Sequence, residues 1–443
     1  MIARTFVQLD RMLEDRGMSD TDAPERMPRA LRPFRIAQYR LLATALALSL
    51  FGAGVWLIAV VFHLRGAGGG PIEVSIVATA NAVGLLLAVL VGGAIADRVR
   101  QKRILLTVEV VKGVLVTTVA VLAATGGLQL WQLTVVGFVL GVADGFFMPA
   151  YSALLPSILP PQQLLAANGF EGMLRPAILQ AGGPALAAGL IAAASPAAAF
   201  ALIALSQAGA IACLALLRPT PLRRTVPDAR HPLGGLLADV RDGVGYLVRT
   251  PWLLASLMLA ATLVLLVFGP MQVLLPFAVT EQTGVDAGGY ALVLLAVGVG
   301  GAGAAIAMGS ARMPRRYLSV MMLLWGCGAV PFVLVGVTSE LWVMMLAAAL
   351  VGGAASAASV IWGTLLQRRV PPELLGRVSS LDFFVTLALL PVSTAIAGPL
   401  GEAFGYGPVF LVAGTAPLVL ALVAIMAARL RRDELAHPLD PQQ

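Results

Sequence analysis

Long apolar runs separated by short charged segments set the pattern of this chain. Seven runs hold no charged residue: Leu41–Val61, Val74–Ala96, Pro196–Leu217, Pro251–Thr280, Tyr317–Thr338, Leu341–Gln367 and Ala403–Ala428. Each meets the length of about 20 residues that a helix needs to cross the hydrocarbon of a bilayer. Five more runs are long enough: Ile104–Thr125, Leu128–Leu155, Leu164–Ala194, Ala287–Ala311 and Val378–Leu400. Four of these carry ionisable residues, whereas Ala287–Ala311 carries none and is rich in glycine. The pattern predicts an all-α membrane protein with twelve transmembrane helices.

Composition agrees. Hydrophobic residues make up 59% of the 443 and charged residues 12%, about half the charged share of a soluble domain. The net charge of +7 would suggest nucleic acid in a soluble protein, so the placement of the charges decides. With the N-terminus on the cytoplasmic side, 27 of the 30 Lys and Arg residues fall in cytoplasmic segments. Only Arg65, Lys112 and Arg175 do not. This positive-inside bias predicts a multi-pass protein of a bacterial-type inner membrane with both termini cytoplasmic, and it leaves no role for nucleic acid. Residues 1–40 contain acidic residues and no cleavable apolar region, so no signal peptide is expected. Cys213 and Cys327 lie in apolar runs and read as small core residues rather than a disulfide.

The expected division is a cytoplasmic tail (1–40), a six-helix bundle (41–217), a cytoplasmic linker (218–250), a second six-helix bundle (251–428) and a cytoplasmic tail (429–443). In the first tail, Ile2, Phe6, Leu9 and Leu13 have the spacing of a short amphipathic helix, although an unstructured tail fits equally. The linker stretch from Leu236 to Leu247 has helical apolar spacing suited to a membrane surface. An internal repeat supports two related halves. Pro160-Pro161-Gln-Gln-Leu-Leu answers Pro371-Pro372-Glu-Leu-Leu, with Glu171 and Asp382 each eleven residues beyond the first proline. Gly183-Pro184 answers Gly398-Pro399, and the basic run Arg98 to Arg103 answers Arg312 to Arg316. Two parallel-repeated halves with a site between them near the midplane are an architecture of secondary transporters.

The segment Gly93-Ala-Ile-Ala-Asp97-Arg98-Val-Arg100-Gln-Lys102-Arg103-Ile-Leu105 resembles the loop signature of the major facilitator superfamily. Arg100 and Gln101 stand where that signature has Gly-Arg. The resemblance implies the major facilitator fold, two pseudo-symmetric six-helix bundles, and a conformational latch formed by Gly93, Asp97, Arg98, Arg100, Lys102 and Arg103. Gly183-Pro184-Ala-Leu-Ala-Ala-Gly189 resembles the antiporter signature of the fifth helix, with Ala187 and Ala188 in place of its glycines. Phe147-Met-Pro149-Ala150 and Leu366-Gln367 with Gly376-Arg377 are similar to the efflux branch that includes multidrug and siderophore exporters.

Ionisable residues inside a membrane are functional candidates, because burying them is costly. The first half has Glu109, Lys112, Asp144, Glu171 and Arg175; the second has Asp382. Counted along their helices at about 1.5 Å per residue, Asp144 and Arg175 both lie about 16 Å deep. They are expected to meet as an ion pair, with Glu171 one turn from Arg175. Such a triad can couple a proton to substrate or serve as a static pair. Glu109 and Lys112 read as a structural pair, and Asp382 as a residue that snorkels or caps. Asn81 and Gln180 face a cavity or tie helices together. Trp56, Phe146, Phe147, Trp362, Phe383 and Phe384 either line an apolar pocket or pack. The run Gly298-Val-Gly300-Gly301-Ala-Gly303 reads as close helix packing, since no Lys-Ser/Thr follows to make it a nucleotide loop. No metal cluster or nucleophile arrangement is present, so neither an enzyme nor a cofactor is expected. The resulting expectation is a monomeric, proton-coupled exporter of amphipathic small molecules working by alternating access, with an uptake symporter or a receptor-like relative as rivals.

Overall fold

The computed structural model describes residues 29–218, 244–311 and 313–439. The amphipathic pattern at Ile2–Leu13, most of the linker and Arg312 lie outside the described residues. Of the linker, residues 244–249 are helical, with Leu247 buried and Val248 exposed.

Among the described residues, twelve helices are long and apolar enough to span a membrane. The first half contains α1 (Ala37–Gly66), α2 (Pro71–Arg98), α3 (Gln101–Ala124), α4 (Leu130–Ile158), α5 (Pro161–Arg175, continued by a π-helical Pro176–Gly182 and by Gly183–Ala193) and α6 (Pro196–Leu216). The second contains α7 (Pro251–Thr283), α8 (Ala287–Ser310), α9 (Tyr317–Val335), α10 (Leu341–Arg369), α11 (Pro372–Ala388 with Leu390–Phe404) and α12 (Tyr406–Ala427). A short α13 (Leu430–Ala436) follows. Proline opens α2, α5, α6, α7 and α11, where its missing N–H costs nothing. The last boundary differs from the sequence reading, which starts the final span at Ala403. Helix α11 runs on to Phe404, and the chain turns at Gly405, whose φ of 77° a side chain would strain.

Between 22% and 61% of each span is buried within the protein. Large apolar side chains on the remaining helix surface stay exposed, as at Leu205, Val299 and Ile306, a surface suited to lipid.

The two halves repeat the same contacts. Helix α2 packs on α4, as α8 does on α10; α1 and α3 pack on α6, as α7 and α9 do on α12. The closest crossings require glycine. A β-carbon on Gly141 would stand 1.9 Å from the carbonyl oxygen of Asn81, and one on Gly300 would stand 2.1 Å from that of Ala349. The glycine-rich run of α8 is therefore a packing device. Between the halves, α2 meets α11 and α5 meets α8, as a pseudo-two-fold relation demands.

The antiparallel helices define two ends. One gathers the start of α1, the α2–α3, α4–α5, α8–α9 and α10–α11 connections and α13; it is here called the basic end. At the opposite end the halves share one apolar core, which includes Val55, Leu133 and Phe200 together with Phe277, Tyr290 and Phe410. Toward the basic end the core divides in two. Tyr39, Leu105, Tyr151 and Leu214 form one part, and Trp252, Tyr317, Met321 and Leu365 the other. Polar contacts reinforce the joined end: Ser75 Oγ donates to the Thr394 carbonyl (2.6 Å) and accepts from the Gly398 N–H (2.8 Å). The halves are thus fastened at one end and part toward the other.

Candidate functional site

The ionisable residues of the first half form a different constellation from the one their depth suggests. Lys112 on α3 reaches Asp144 on α4 at 2.7 Å and Glu109, one turn away, at 3.8 Å. Ser49 on α1 joins them: its hydroxyl donates to Glu109 Oε1 (2.7 Å) and accepts from Lys112 Nζ (3.2 Å). The expected Asp144–Arg175 pair does not form. Consecutive antiparallel helices need not be the closest neighbours, and α4 packs chiefly on α2 and α3 while α5 packs on α1 and α8. Arg175 instead donates to Met148 Sδ (2.7 Å), one helical turn beyond Asp144. Glu109 and Lys112 are therefore not a separate structural pair but part of the same site as Asp144.

Burial differs sharply within this quartet. The Glu109 side chain is 0% exposed and Lys112 6%, whereas Asp144 is 43% exposed. Glu109 Oε2 is buried without a hydrogen-bond partner. One lysine thus faces two carboxyl groups, and the group is electrically neutral only with one carboxyl protonated. The Lys112 ammonium also lies 5.6 Å from the centre of the Phe147 ring, a cation–π distance.

Glu171 and Asp382, linked by the sequence repeat, are also linked in chemistry. Glu171 accepts from the Tyr151 hydroxyl (2.6 Å), and Asp382 accepts from Trp362 Nε1 (3.1 Å). Each aromatic donor lies 20 residues before its acid, on the preceding helix. Helix α11 begins at Pro372, so Asp382 lies about 15 Å along it and does not cap its start, while the apolar span of that helix runs from Leu381 to Phe404 and leaves Asp382 at its edge. With Trp362, Trp325, Phe268 and Thr386 it lines a cavity of about 300 Å³ within the second half. Trp362 packs against Trp252 and Trp325 at ring separations of 6.4 and 6.1 Å. The other aromatic candidates divide: Trp56 packs on Phe200 and Phe147 stacks on Tyr151, while Phe383 and Phe384 are exposed. Cys213 is half-buried and Cys327 is exposed rather than a core residue, and both are free thiols.

Asn81 ties helices together, donating to the Gly137 carbonyl of α4 (3.0 Å). Gln180 lies beside Gly298 at the α5–α8 contact. The side chains of Gly93, Asp97 and Arg98 lie outside the described residues. Of the rest of the loop signature, Arg100 and Arg103 are exposed. Lys102 donates to the carbonyls of Ala215 (2.9 Å) and Leu217 and so caps the C-terminal end of α6, where a cation is favoured. In the helix-5 motif, Gly183 meets Gly54 of α1: a β-carbon on Gly183 would lie 2.9 Å from Gly54 Cα. Pro184 touches the same glycine, and Gly189 faces open space.

Sequence reasoning passes over Ser49 and Tyr151. A hydroxyl in the middle of an otherwise apolar run is the signal for Ser49, which lies about 18 Å along α1, close to the depth of Lys112 along α3.

Twelve spans in two pseudo-symmetric halves, with charged groups in mid-span, define a transporter of the major facilitator class. The chain belongs to the transmembrane secretion effector family of that superfamily, whose profile matches residues 29–442. It is 26% identical to the multidrug efflux pump Tap of Mycolicibacterium fortuitum, over 87% of this chain and 94% of that one. It is 23% identical to macrolide efflux protein A of Streptococcus pyogenes, over 88% and 95%. Among solved structures, the nucleoside transporter NupG matches with a TM-score of 0.66 at 12% identity, over 89% of this chain and 99% of that one. A POT family transporter in complex with 5-aminolevulinic acid matches with a TM-score of 0.67 at 13% identity, over 88% and 96%. These two likenesses are of fold. The protein is a secondary active transporter that works by alternating access, and its family membership implies transport rather than catalysis.

Proposed function

We propose that this transporter is a proton-driven exporter of amphipathic small molecules of drug or siderophore type, acting as a monomer in a bacterial-type inner membrane with both termini cytoplasmic. The observation that carries the reading is the quartet of Ser49, Glu109, Lys112 and Asp144, in which one lysine is shared by an accessible and a sealed carboxyl group. A proton reaching Asp144 weakens its hold on Lys112. The ammonium then turns to Glu109, and the change of partner moves α3 against α4. Pseudo-symmetric six-helix bundles at 41–217 and 251–428, joined by the linker 218–250, rock about the α2–α11 and α5–α8 contacts between them, and the close α1–α5 crossing at Gly54 and Gly183 keeps the first bundle rigid. The loop-signature residues Gly93, Asp97, Arg98, Arg100, Lys102 and Arg103 latch one of the two states.

Efflux as the direction is supported by the printed functions of the multidrug and macrolide relatives and by the helix-5 motif. The positive-inside bias puts the basic end in the cytoplasm, so the arrangement described is open to cytoplasmic substrate. The cavity at Trp325, Trp362 and Asp382 offers apolar walls and one acid to such a molecule.

The test is compound accumulation in a pump-deficient bacterial host, comparing wild type, Asp144→Asn and empty vector over a panel of toxic amphiphiles, with and without a protonophore. Lower accumulation of a compound in wild type, abolished by the substitution and by the protonophore, is the expected result. Higher accumulation in wild type reverses the direction and makes the protein an uptake symporter.

A further inference from the structure

Beyond the end of α12 the chain turns at Arg429, whose φ of 50° and ψ of 39° make it the one non-glycine residue with positive φ among the described residues. That backbone is unfavourable for an L-residue, and a glycine would adopt it freely. The surroundings enforce it. Buried Glu434 on α13 accepts from the N–H groups of Leu318 and Ser319 (3.1 Å each) and from Ser319 Oγ (2.8 Å). Asp433 pairs with Arg369 at 2.5 Å. These bonds draw α13 against the start of α9 and the end of α10.

Between α9, α12 and α13 lies a cavity of about 560 Å³. Leu323, Leu422 and Met426 line its apolar part, and Arg429, Arg431 and Arg432 line its edge. All three arginines are exposed, and none forms an ion pair among the described residues. Leu323 lies about 9 Å along α9 and Leu422 about 8 Å before the end of α12. The cavity therefore crosses from the ends of the spans into their apolar length. It also stands apart from the α2–α11 and α5–α8 contacts between the halves.

The geometry points to a binding site for an anionic phospholipid, with its phosphate held by Arg429, Arg431 and Arg432 and an acyl chain laid along Leu323, Leu422 and Met426. A basic rim where helices leave the membrane attracts anionic headgroups, and an apolar floor beneath it suits a lipid rather than a soluble anion. An arginine kept where glycine would relieve the backbone supplies the third guanidinium.

Native mass spectrometry of the purified full chain tests this with three probes: phosphatidylglycerol, phosphatidylcholine and inorganic phosphate. Phosphatidylglycerol is expected to bind about tenfold more tightly than phosphatidylcholine, and inorganic phosphate only weakly. Arg431→Gln/Arg432→Gln should remove that preference. Arg429→Gly should weaken phosphatidylglycerol binding while relaxing the backbone, so its loss cannot be ascribed to misfolding. The proposal is overturned if both variants keep wild-type binding, if the two lipids bind alike, or if inorganic phosphate binds as tightly as the lipid.

Discussion

Replacing Lys112 with methionine removes the cation that two intramembrane carboxyl groups share. At an effective dielectric constant of about 20, unit charges 2.7 Å and 3.8 Å apart attract by about 6 and about 4 kcal/mol before desolvation is counted. Desolvation offsets much of this, and breaking a buried pair by removing one partner costs about 3–5 kcal/mol net. Most of that cost falls on Glu109, whose side chain is 0% exposed, because Asp144 can still turn to water. A second change, Glu109→Gln, takes away the stranded charge and keeps the acceptor that Ser49 uses. The double variant Glu109→Gln/Lys112→Met should therefore be more stable than Lys112→Met alone, by at least about 1 kcal/mol. For a chain of 443 residues, 1 kcal/mol corresponds to about 1 °C in Tm. The single variant should then melt about 3 to 5 °C below wild type, with part of the loss recovered in the double variant. Thermal unfolding of detergent-purified protein, followed by size-exclusion chromatography, measures both. A Lys112→Met protein as stable as wild type, or a double variant no better than the single one, would falsify the account of a shared, sealed lysine.

Two other perturbations test the frame around the site. Gly141→Val puts side-chain atoms where a β-carbon alone would stand 1.9 Å from the Asn81 carbonyl; it should force α2 and α4 apart and abolish membrane-inserted protein in an expression assay, whereas normal yield contradicts the crossing. Ser75→Ala removes the hydroxyl that ties α2 to the Thr394 carbonyl and Gly398 N–H of α11, at about 1 kcal/mol, since those two groups remain one helical turn apart and can still pair with each other. Spin labels at Ala67 and Glu340 should then show a larger share of molecules open at that end, and an unchanged distance distribution refutes the fastening role.

The spans were legible because lipid imposes a simple length rule on them, and each half could be counted without knowing its neighbours. The repeat was legible too, and its acids Glu171 and Asp382 take equivalent aromatic donors. Helix adjacency was not legible. Depth along the chain placed Asp144 and Arg175 at one level, but which helices touch is decided by small residues such as Gly141, which press α4 onto α2. The partner of Asp144 therefore came from α3. Ser49 escaped notice for a related reason: an uncharged hydroxyl is cheap to bury, and its value appears only once α1 and α3 are seen to bring it between Glu109 and Lys112. For Asp382 two measures differ: the helix begins at Pro372, whereas its apolar span begins only at Leu381.

The central claim is that proton movement through the Glu109–Lys112–Asp144 site drives the substrate. Its most direct measurement uses purified protein in proteoliposomes with a pH-sensitive dye trapped inside, supplied with a compound that the accumulation assay identifies. In the wild type, an imposed pH gradient should drive the compound against its own gradient, and a compound gradient should move protons the opposite way. Glu109→Gln and Asp144→Asn should each abolish both fluxes while leaving binding of the compound intact. Compound flux that persists in both variants, or that proceeds with no accompanying proton movement, contradicts the account.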